Sequence, residues 1–97
     1  MTNKDVCFAW YGGKVGDSAN LHTDGKNLFS YRLKIGRTDK NGLKIVLLYI
    51  MKDGISHTTN AHINLAYGGG YLLGVLGIAP TKNDITVLRK IMKVARA

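Results

Sequence analysis

Residues 29–37 read F-S-Y-R-L-K-I-G-R, placing Phe29, Tyr31, Leu33 and Ile35 on one side of an extended chain and Ser30, Arg32, Lys34 and Gly36 on the other. This period of two predicts a half-exposed β-strand. The polar residues 38–42 (TDKNG) turn the chain back, and residues 43–51 follow, apolar at nearly every position. Such a run suits a strand covered on both faces. A symmetric five-residue loop would set Arg37 opposite Leu43, Ile35 opposite Ile45 and Leu33 opposite Leu47. Arg32, Lys34 and Lys44 would then share one face of the hairpin. Upstream, residues 6–11 (VCFAWY) form a β-prone run ending at Gly12-Gly13, and residues 12–19 read as a loop. Asp24-Gly25 is a two-residue hairpin signal, because both positions tolerate positive φ.

After the turn at Lys52-Asp53-Gly54 the pattern changes to helix. Thr58 and Thr59 are N-cap candidates ahead of a helix over residues 60–67. Gly68-Gly69-Gly70 is expected to end it, since each glycine costs about 1 kcal/mol in a helix interior. Residues 71–78 suggest a second short helical piece, and Pro80 punctuates. Residues 81–96 form the clearest helix. Thr81 and Asp84 stand in capping-box spacing, and Ile85, Leu88, Ile91, Met92 and Ala95 make one apolar stripe. Arg89, Lys93 and Arg96 lie together away from that stripe, with Lys82 and Lys90 nearby.

Strands first and helices after point to a single α+β domain over residues 1–97. The expected form is a small antiparallel sheet of three to four strands, in the N-terminal two thirds, packed against C-terminal helices. A chain of 97 residues has room for one core, and 45% hydrophobic content is ordinary for a globular protein. Cys7 is the lone cysteine, which excludes an internal disulfide and suits a reducing compartment. The first five residues lack the apolar stretch of a signal peptide. Residues 65–79 (LAYGGGYLLGVLGIA) are apolar and uncharged, with Gly70 and Gly74 in GxxxG spacing. They fall short of the about 20 residues a spanning helix needs. A buried or surface-packed segment is the expectation.

Charge is the least ordinary feature: fourteen Lys and Arg against six acids give a formal net charge of +8. All the acids are Asp. Asp24 and Asp53 precede glycines in turns, Asp39 lies in the hairpin loop, Asp84 fits a helix start, and Asp5 and Asp17 lie in terminal and loop segments. No carboxylate pair is apparent, so acid–base catalysis has no sequence support. His22, His57, His62 and Cys7 show no ligand spacing for a metal; His57 and His62 are five apart. Neither glycine cluster has the strand–GxxxxGK[ST]–helix form of a phosphate loop. No cofactor or small-molecule substrate is implied.

Nucleic acid fits better. Arg32, Lys34 and Lys44 on a strand face and Lys82, Arg89, Lys90, Lys93 and Arg96 on a helix supply cations for sequence-independent phosphate contact. Trp10, Tyr11, Tyr31 and Tyr49 are read as core, and no RNP, KH, zinc-finger or helix-turn-helix signature is present.

The stretches DGKNLFSYRLKIG (residues 24–36) and SHTTNAHIN (residues 56–64) resemble a small domain of unknown function common in bacteriophage proteins. There a Ser-Tyr strand precedes a Ser-x-Thr-Thr-x-x-His-Ile helix start, matched here by Ser30-Tyr31 and Ser56-His57-Thr58-Thr59-Asn60-Ala61-His62-Ile63. The likeness covers under half of the chain and stops at Tyr67. It implies a phage or mobile-element origin and no biochemical activity. His62 is expected to bond back to the strand carrying Ser30 and Tyr31.

The sequence therefore suggests a non-enzymatic, phage-derived binding protein of the host cytoplasm, engaging DNA or RNA through its basic surface. The alternative is a phage-encoded protein–protein inhibitor or adaptor, such as an anti-CRISPR or other anti-defence protein. It would use the same cations against an acidic host protein, or an apolar patch at residues 71–78. A membrane role is not favoured, and an open sheet edge leaves a homodimer open.

Overall fold

In the computed structural model the described residues are 1–96, with side chains described through Met92. The chain opens with helix α1 (Asn3–Tyr11) and continues through β1 (Val15–Asp17), β2 (Leu21–Asp24), β3 (Leu28–Ser30), β4 (Leu33–Thr38) and β5 (Lys44–Leu47). A 3-10 turn, Met51–Asp53, leads to α2 (His57–Gly70); a second, Tyr71–Leu73, leads to β6 (Leu76–Ile78) and then α3 (Lys82–Arg96). The fold is α+β, and its sheet is larger than the three to four strands expected: six strands in sequential order. Four pairings are antiparallel, and β6 joins β5 in parallel after the α2 crossover.

The β-prone run at residues 6–11 is helical, a correction with a local and a tertiary cause. Thr2 and Asp5 close a capping box, with Asp5 N donating to Thr2 Oγ1 at 3.1 Å and Thr2 N to Asp5 Oδ2 at 3.0 Å. Val6, Cys7 and Trp10 then fall on one buried side, where α1 packs on β1, β2 and α2. Residues 12–19, read as a loop, contain the short strand β1. The expected two-residue turn at Asp24-Gly25 is a wider loop closed by the Thr23–Leu28 pair. Asp24 Oδ1 accepts from Lys26 N at 2.9 Å and from Asn27 N at 2.6 Å.

The continuous strand expected over residues 29–37 is broken at Tyr31-Arg32, where the chain turns between β3 and β4 with Ser30 paired to Leu33. Tyr31 adopts φ 55°, the left-handed region that hairpin turns usually assign to Gly, Asn or Asp. No residue of a turn-forming type marks the spot. Past the turn, β4 carries a bulge at Ile35: Lys34 pairs with Phe29, whereas Gly36 pairs with Leu28. The β4–β5 register also differs from the symmetric loop. Thr38 pairs with Lys44, Arg37 with Ile45 and Gly36 with Val46, because Asp39 draws Leu43 into the turn: Asp39 Oδ1 accepts from Leu43 N at 2.8 Å and Asn41 N at 2.9 Å.

These registers sort the side chains onto two faces. Thr23, Leu28, Gly36 and Val46 line up toward α1 and α2, and Trp10 lies against Gly36. Ile45 and Leu47 point the other way and are also buried. Strand β5 is thus covered on both faces, as its apolar run implied, but it is shorter than the expected residues 43–51: it ends at Leu47, and Ile50 and Met51 are exposed. Tyr49, in step with Ile45 and Leu47, donates to the Asp84 carbonyl at 3.4 Å, and α3 packs against β4. So α3 covers the second face.

Helix α2 begins one turn earlier than expected. Ser56 is its N-cap, accepting from Thr59 N at 3.1 Å. The helix also runs through Gly68-Gly69-Gly70 and does not stop before them. A Cβ at Gly69 would lie 3.0 Å from Tyr11 Oη, and one at Gly70 would collide with Val75. The glycines make room for α1 and the following segment. Residues 71–78, read as helical, form a 3-10 turn and strand β6. No helix among the described residues is long and apolar enough to cross a membrane. The capping box of α3 is present, with Thr81 N donating to Asp84 Oδ2 at 2.8 Å and Asp84 N to Thr81 Oγ1 at 3.2 Å. Of the expected stripe, Leu88 is buried and Ile85, Ile91 and Met92 are half-buried; Ala95 lies outside the described side chains.

The closest backbone approach offers a test. A Cβ on Gly36 would sit 2.7 Å from Trp10 Cζ2, and both partners are fully buried. Gly36→Ala is expected to destabilise the protein by about 1–3 kcal/mol through overpacking, measured as a lower urea midpoint with an unchanged m-value.

Candidate functional site

His62 projects from the second turn of α2 into the core, where Nδ1 lies 2.7 Å from Ser30 Oγ. The ring therefore bonds back to the strand carrying Ser30, as the Ser-Tyr and His-Ile motifs implied. Asn3 Nδ2, from α1, faces Nε2 at 3.3 Å. The direction of both ring bonds follows from which nitrogen carries the proton. Ser30 Oγ is also 3.0 Å from Thr59 Oγ1, and Ser56 Oγ donates to Thr59 Oγ1 at 3.2 Å. A chain of neutral polar groups thus links α1, β3 and the start of α2. Among the described residues no buried side-chain polar atom lacks a partner.

This chain resembles a Ser-His pair but is not arranged as an activated nucleophile. Ser30 has 0% relative exposure, and its hydroxyl is engaged with both His62 and Thr59. An amide stands where a carboxylate would orient and charge-stabilise the ring. Burial holds the His62 pKa below the usual 6.5. Cys7 is similarly quiet, because burial pushes its thiol up to about 11. No group of three or more His, Cys, Asp or Glu side chains that could hold a metal occurs among the described residues.

Beyond the hydroxyls lies a cavity of about 250 Å³. Its lining is predominantly apolar, with Leu33, Ile55, Leu88 and Ile91 among the lining residues together with Ser30, Ser56 and Thr59. Tyr31, half-exposed in its left-handed turn, stands at the rim. Met92 closes another side over Gly54, whose φ of 105° and missing Cβ let the thioether approach: a Cβ there would be 3.1 Å from Met92 Sδ. None of the expected binding residues with described side chains lines this cavity. Its only signal in the chain is the Ser-Tyr and Ser-x-Thr-Thr pairing, and only the tertiary fold brings α3 over it.

The expected cations separate into three groups. Arg32 in the β3–β4 turn, Lys34 on β4, and Lys82, Arg89 and Lys90 on α3 are all exposed. Lys34 pairs with Phe29, whose ring stacks on exposed His22, so it lies on the outer face. Lys44 does not join them. Its register places it with Val46 and Trp10 on the inner face, where Nζ donates to the Gly25 carbonyl at 2.9 Å and to Thr38 Oγ1 at 2.6 Å. The ammonium also sits 5.5 Å from the centroid of the Trp10 ring. Burial lowers its pKa, opposed by the charge of Asp24. Lys44 is a structural lysine that ties two loops together. Lys93 and Arg96 lie outside the described side chains.

Five of the six aspartates accept backbone N–H bonds in caps and turns: Asp5, Asp24, Asp39, Asp53 and Asp84. Those bonds hold the Asp24 carboxyl below its ordinary value, chiefly the one from Asn27 N. The charge of these five aspartates is tied to nearby backbone, Asp84 at the start of α3 among them.

No family model, curated protein or solved structure matches the chain.

The histidine makes a pH prediction. Its pKa is depressed in the folded state, so its contribution to stability is fully present above the unfolded value of 6.5 and is lost as pH falls through the folded value. The urea midpoint is expected to drop on going from about pH 7 to about pH 5, and to drop less in His62→Gln. His62→Ala at neutral pH is expected to cost roughly 2–4 kcal/mol through the cavity and the missing ring bonds. An unchanged melting temperature would remove the ring from this structural role.

Proposed function

We propose that the protein is a non-enzymatic binding protein, of phage or mobile-element origin, that engages nucleic acid through a basic surface. The surface comprises Lys82, Arg89 and Lys90 on α3 and Arg32 and Lys34 beside it, with Lys93 and Arg96 continuing the helix. One observation carries this reading. Five of the six acids accept backbone N–H bonds in caps and turns, whereas these cations are exposed on α3, on β4, which packs with it, and in the turn before β4. A net charge of +8 so distributed attracts a polyanion at long range. Of Trp10, Tyr31 and Tyr49, the first and last are buried, and Tyr31, exposed beside Arg32, is the one ring next to these cations in the chain, which favours contact with the backbone over base selection.

The second reading, a protein–protein inhibitor or adaptor acting on a host complex such as a CRISPR defence, is favoured by a different observation. Tyr71, Leu72, Leu73 and Leu76 are exposed together, Leu72 at 92%, in a segment free of charge. A contiguous apolar patch beside an edge strand suits a protein partner.

The readings separate experimentally. Nucleic-acid binding predicts anisotropy changes with labelled DNA or RNA that weaken steeply with salt. Replacing Lys82, Arg89 and Lys90 by Ala is expected to flatten the log–log salt slope on duplex DNA by up to about 0.9 for each phosphate left without its cation. Lys44→Gln is expected to leave the slope unchanged and lower stability. Absence of binding at low salt would overturn the reading, and a nuclease-resistant complex abolished by Leu72→Asp would establish the second.

A further inference from the structure

The outer face of the sheet carries a row of side chains that the basic surface above uses only at one end. Strand pairing puts Asp17, His22, Phe29 and Lys34 side by side across β1 to β4. Paired residues of antiparallel strands share a face, and this one is turned away from α1 and α2. Gly16, Leu21, Thr23, Leu28 and Ser30 alternate with the row along the strands and are buried on the inner side. Helix α3 packs against β4, and the row from β1 to β3 stays open. Val15, Asp17 and His22 are exposed there, and Phe29 is only partly covered.

The middle of the row is aromatic. The His22 and Phe29 rings are stacked, with centroids 5.1 Å apart and planes inclined by 18°. A cross-strand pair of this kind supports the sheet. With His22 exposed, the pair is also a flat π surface on an open face.

The cations beside it are brought together by the β4 bulge. Gly36 lies on the inner face, against Trp10. In a regular strand Lys34, two residues away, would share that face. The extra residue at Ile35 puts Lys34 on the outer face, and Arg37, paired with Ile45, is on it as well. Both side chains are exposed. The row therefore runs from an acid at Asp17, through two rings, to two cations on β4.

Such a face fits an unpaired strand and not a duplex. Four strands span about 14 Å, wider than the ~12 Å major groove of a duplex. Paired bases also keep their π faces inside the stack. Unpaired bases stack on exposed rings whatever their identity, while cations track the phosphates.

We propose that this face binds single-stranded nucleic acid, with a base stacked on the His22–Phe29 pair and the adjoining phosphates at Lys34 and Arg37. The proposal rests on the nucleic-acid reading and adds to it the strandedness of the ligand and a stacking site. Asp17, on the far side of His22, sets the path, so that the phosphates run along β4.

The test compares three labelled probes of equal length by fluorescence anisotropy: oligothymidylate, an abasic strand with the same phosphates and no bases, and a DNA duplex. Oligothymidylate is expected to bind at least about fivefold more tightly than the abasic strand, the scale of one stacked base. Phe29→Leu, which keeps an apolar side chain without a π face, is expected to remove that preference and leave abasic-strand and duplex binding unchanged. Phe29→Trp is expected to keep it. His22→Ala, at an exposed position, is expected to reduce it with the urea midpoint near that of the parent. Arg37→Gln is expected to weaken oligothymidylate and the abasic strand alike and to lower the single-strand salt slope by about 0.7. Equal affinity for oligothymidylate and the abasic strand would overturn the proposal, as would a preference that survives both Phe29→Leu and His22→Ala. If all three probes then still bind with a steep salt dependence, the basic surface stands and only the stacking site falls. Absence of binding to every probe at low salt overturns both.

Discussion

The bond between His62 Nδ1 and Ser30 Oγ joins residues 32 positions apart, and much of the remaining architecture depends on it. It places an uncharged imidazole in the core, where burial makes the protonated form costly. Through Asn3 the same ring ties down α1, and through Thr59 the serine ties down the first turn of α2. Ser30 is the last residue of β3, so anchoring it obliges the chain to reverse at Tyr31-Arg32. That reversal puts a tyrosine in a glycine-like conformation, sets Arg32 outside, and creates the wall of the cavity that α3 then covers.

Charge is organised by a second constraint. Caps and tight turns need acceptors for backbone N–H groups, and in this chain without glutamate aspartates share that task with Thr2, Thr23, Ser56 and Thr81. The aspartates are Asp5, Asp24, Asp39, Asp53 and Asp84. What is left over is cationic. Lys44 is the exception, drawn inward by Gly25, Thr38 and the face of Trp10. Its role shows that a cation's place in a sequence pattern does not establish its exposure; strand pairing does. The bulge at Ile35 puts Lys34 and Gly36 on opposite faces, and the β4–β5 register sets Lys44 beside Thr38 on the face of Gly36. A residue expected in the strand-face cluster thereby becomes an internal tether.

The functional features therefore occupy three separate parts of one small fold. Cations sit on α3 and the β3–β4 turn, an uncharged apolar patch surrounds Leu72, and a cavity opens between α3 and the hydroxyl cluster. The cavity and the basic surface share α3 as a wall but use different sides of it. Leu88, Ile91 and Met92 recur at three- and four-residue steps and face inward, and Arg89 and Lys90 lie on the sides turned from them. The helix thus buries Leu88 against the core while Arg89 and Lys90 stay exposed.

Where interactions lie within a few residues of one another, the sequence determined the outcome. Thr81 and Asp84 cap α3, and the stripe through Ile85, Leu88, Ile91 and Met92 orients it. The aspartates at positions 24, 39 and 53 mark real turns, and the apolar run after Gly42 becomes a strand covered on both faces. The link from His62 to Ser30 was legible only through the paired motifs that carry them. Tertiary structure decided the rest. Residues 6–11 have β-prone side chains, yet a nine-residue helix wins because it buries Val6, Cys7 and Trp10 against three other elements. Helix α2 runs through the glycines at 68–70, and at Gly69 and Gly70 a side chain would meet Tyr11 and Val75. The break at Tyr31, the bulge at Ile35 and the β4–β5 register have no strong local signal, since strand pairing is settled by interactions between distant residues. The cavity belongs with these, for a space between two elements exists only once both are in place.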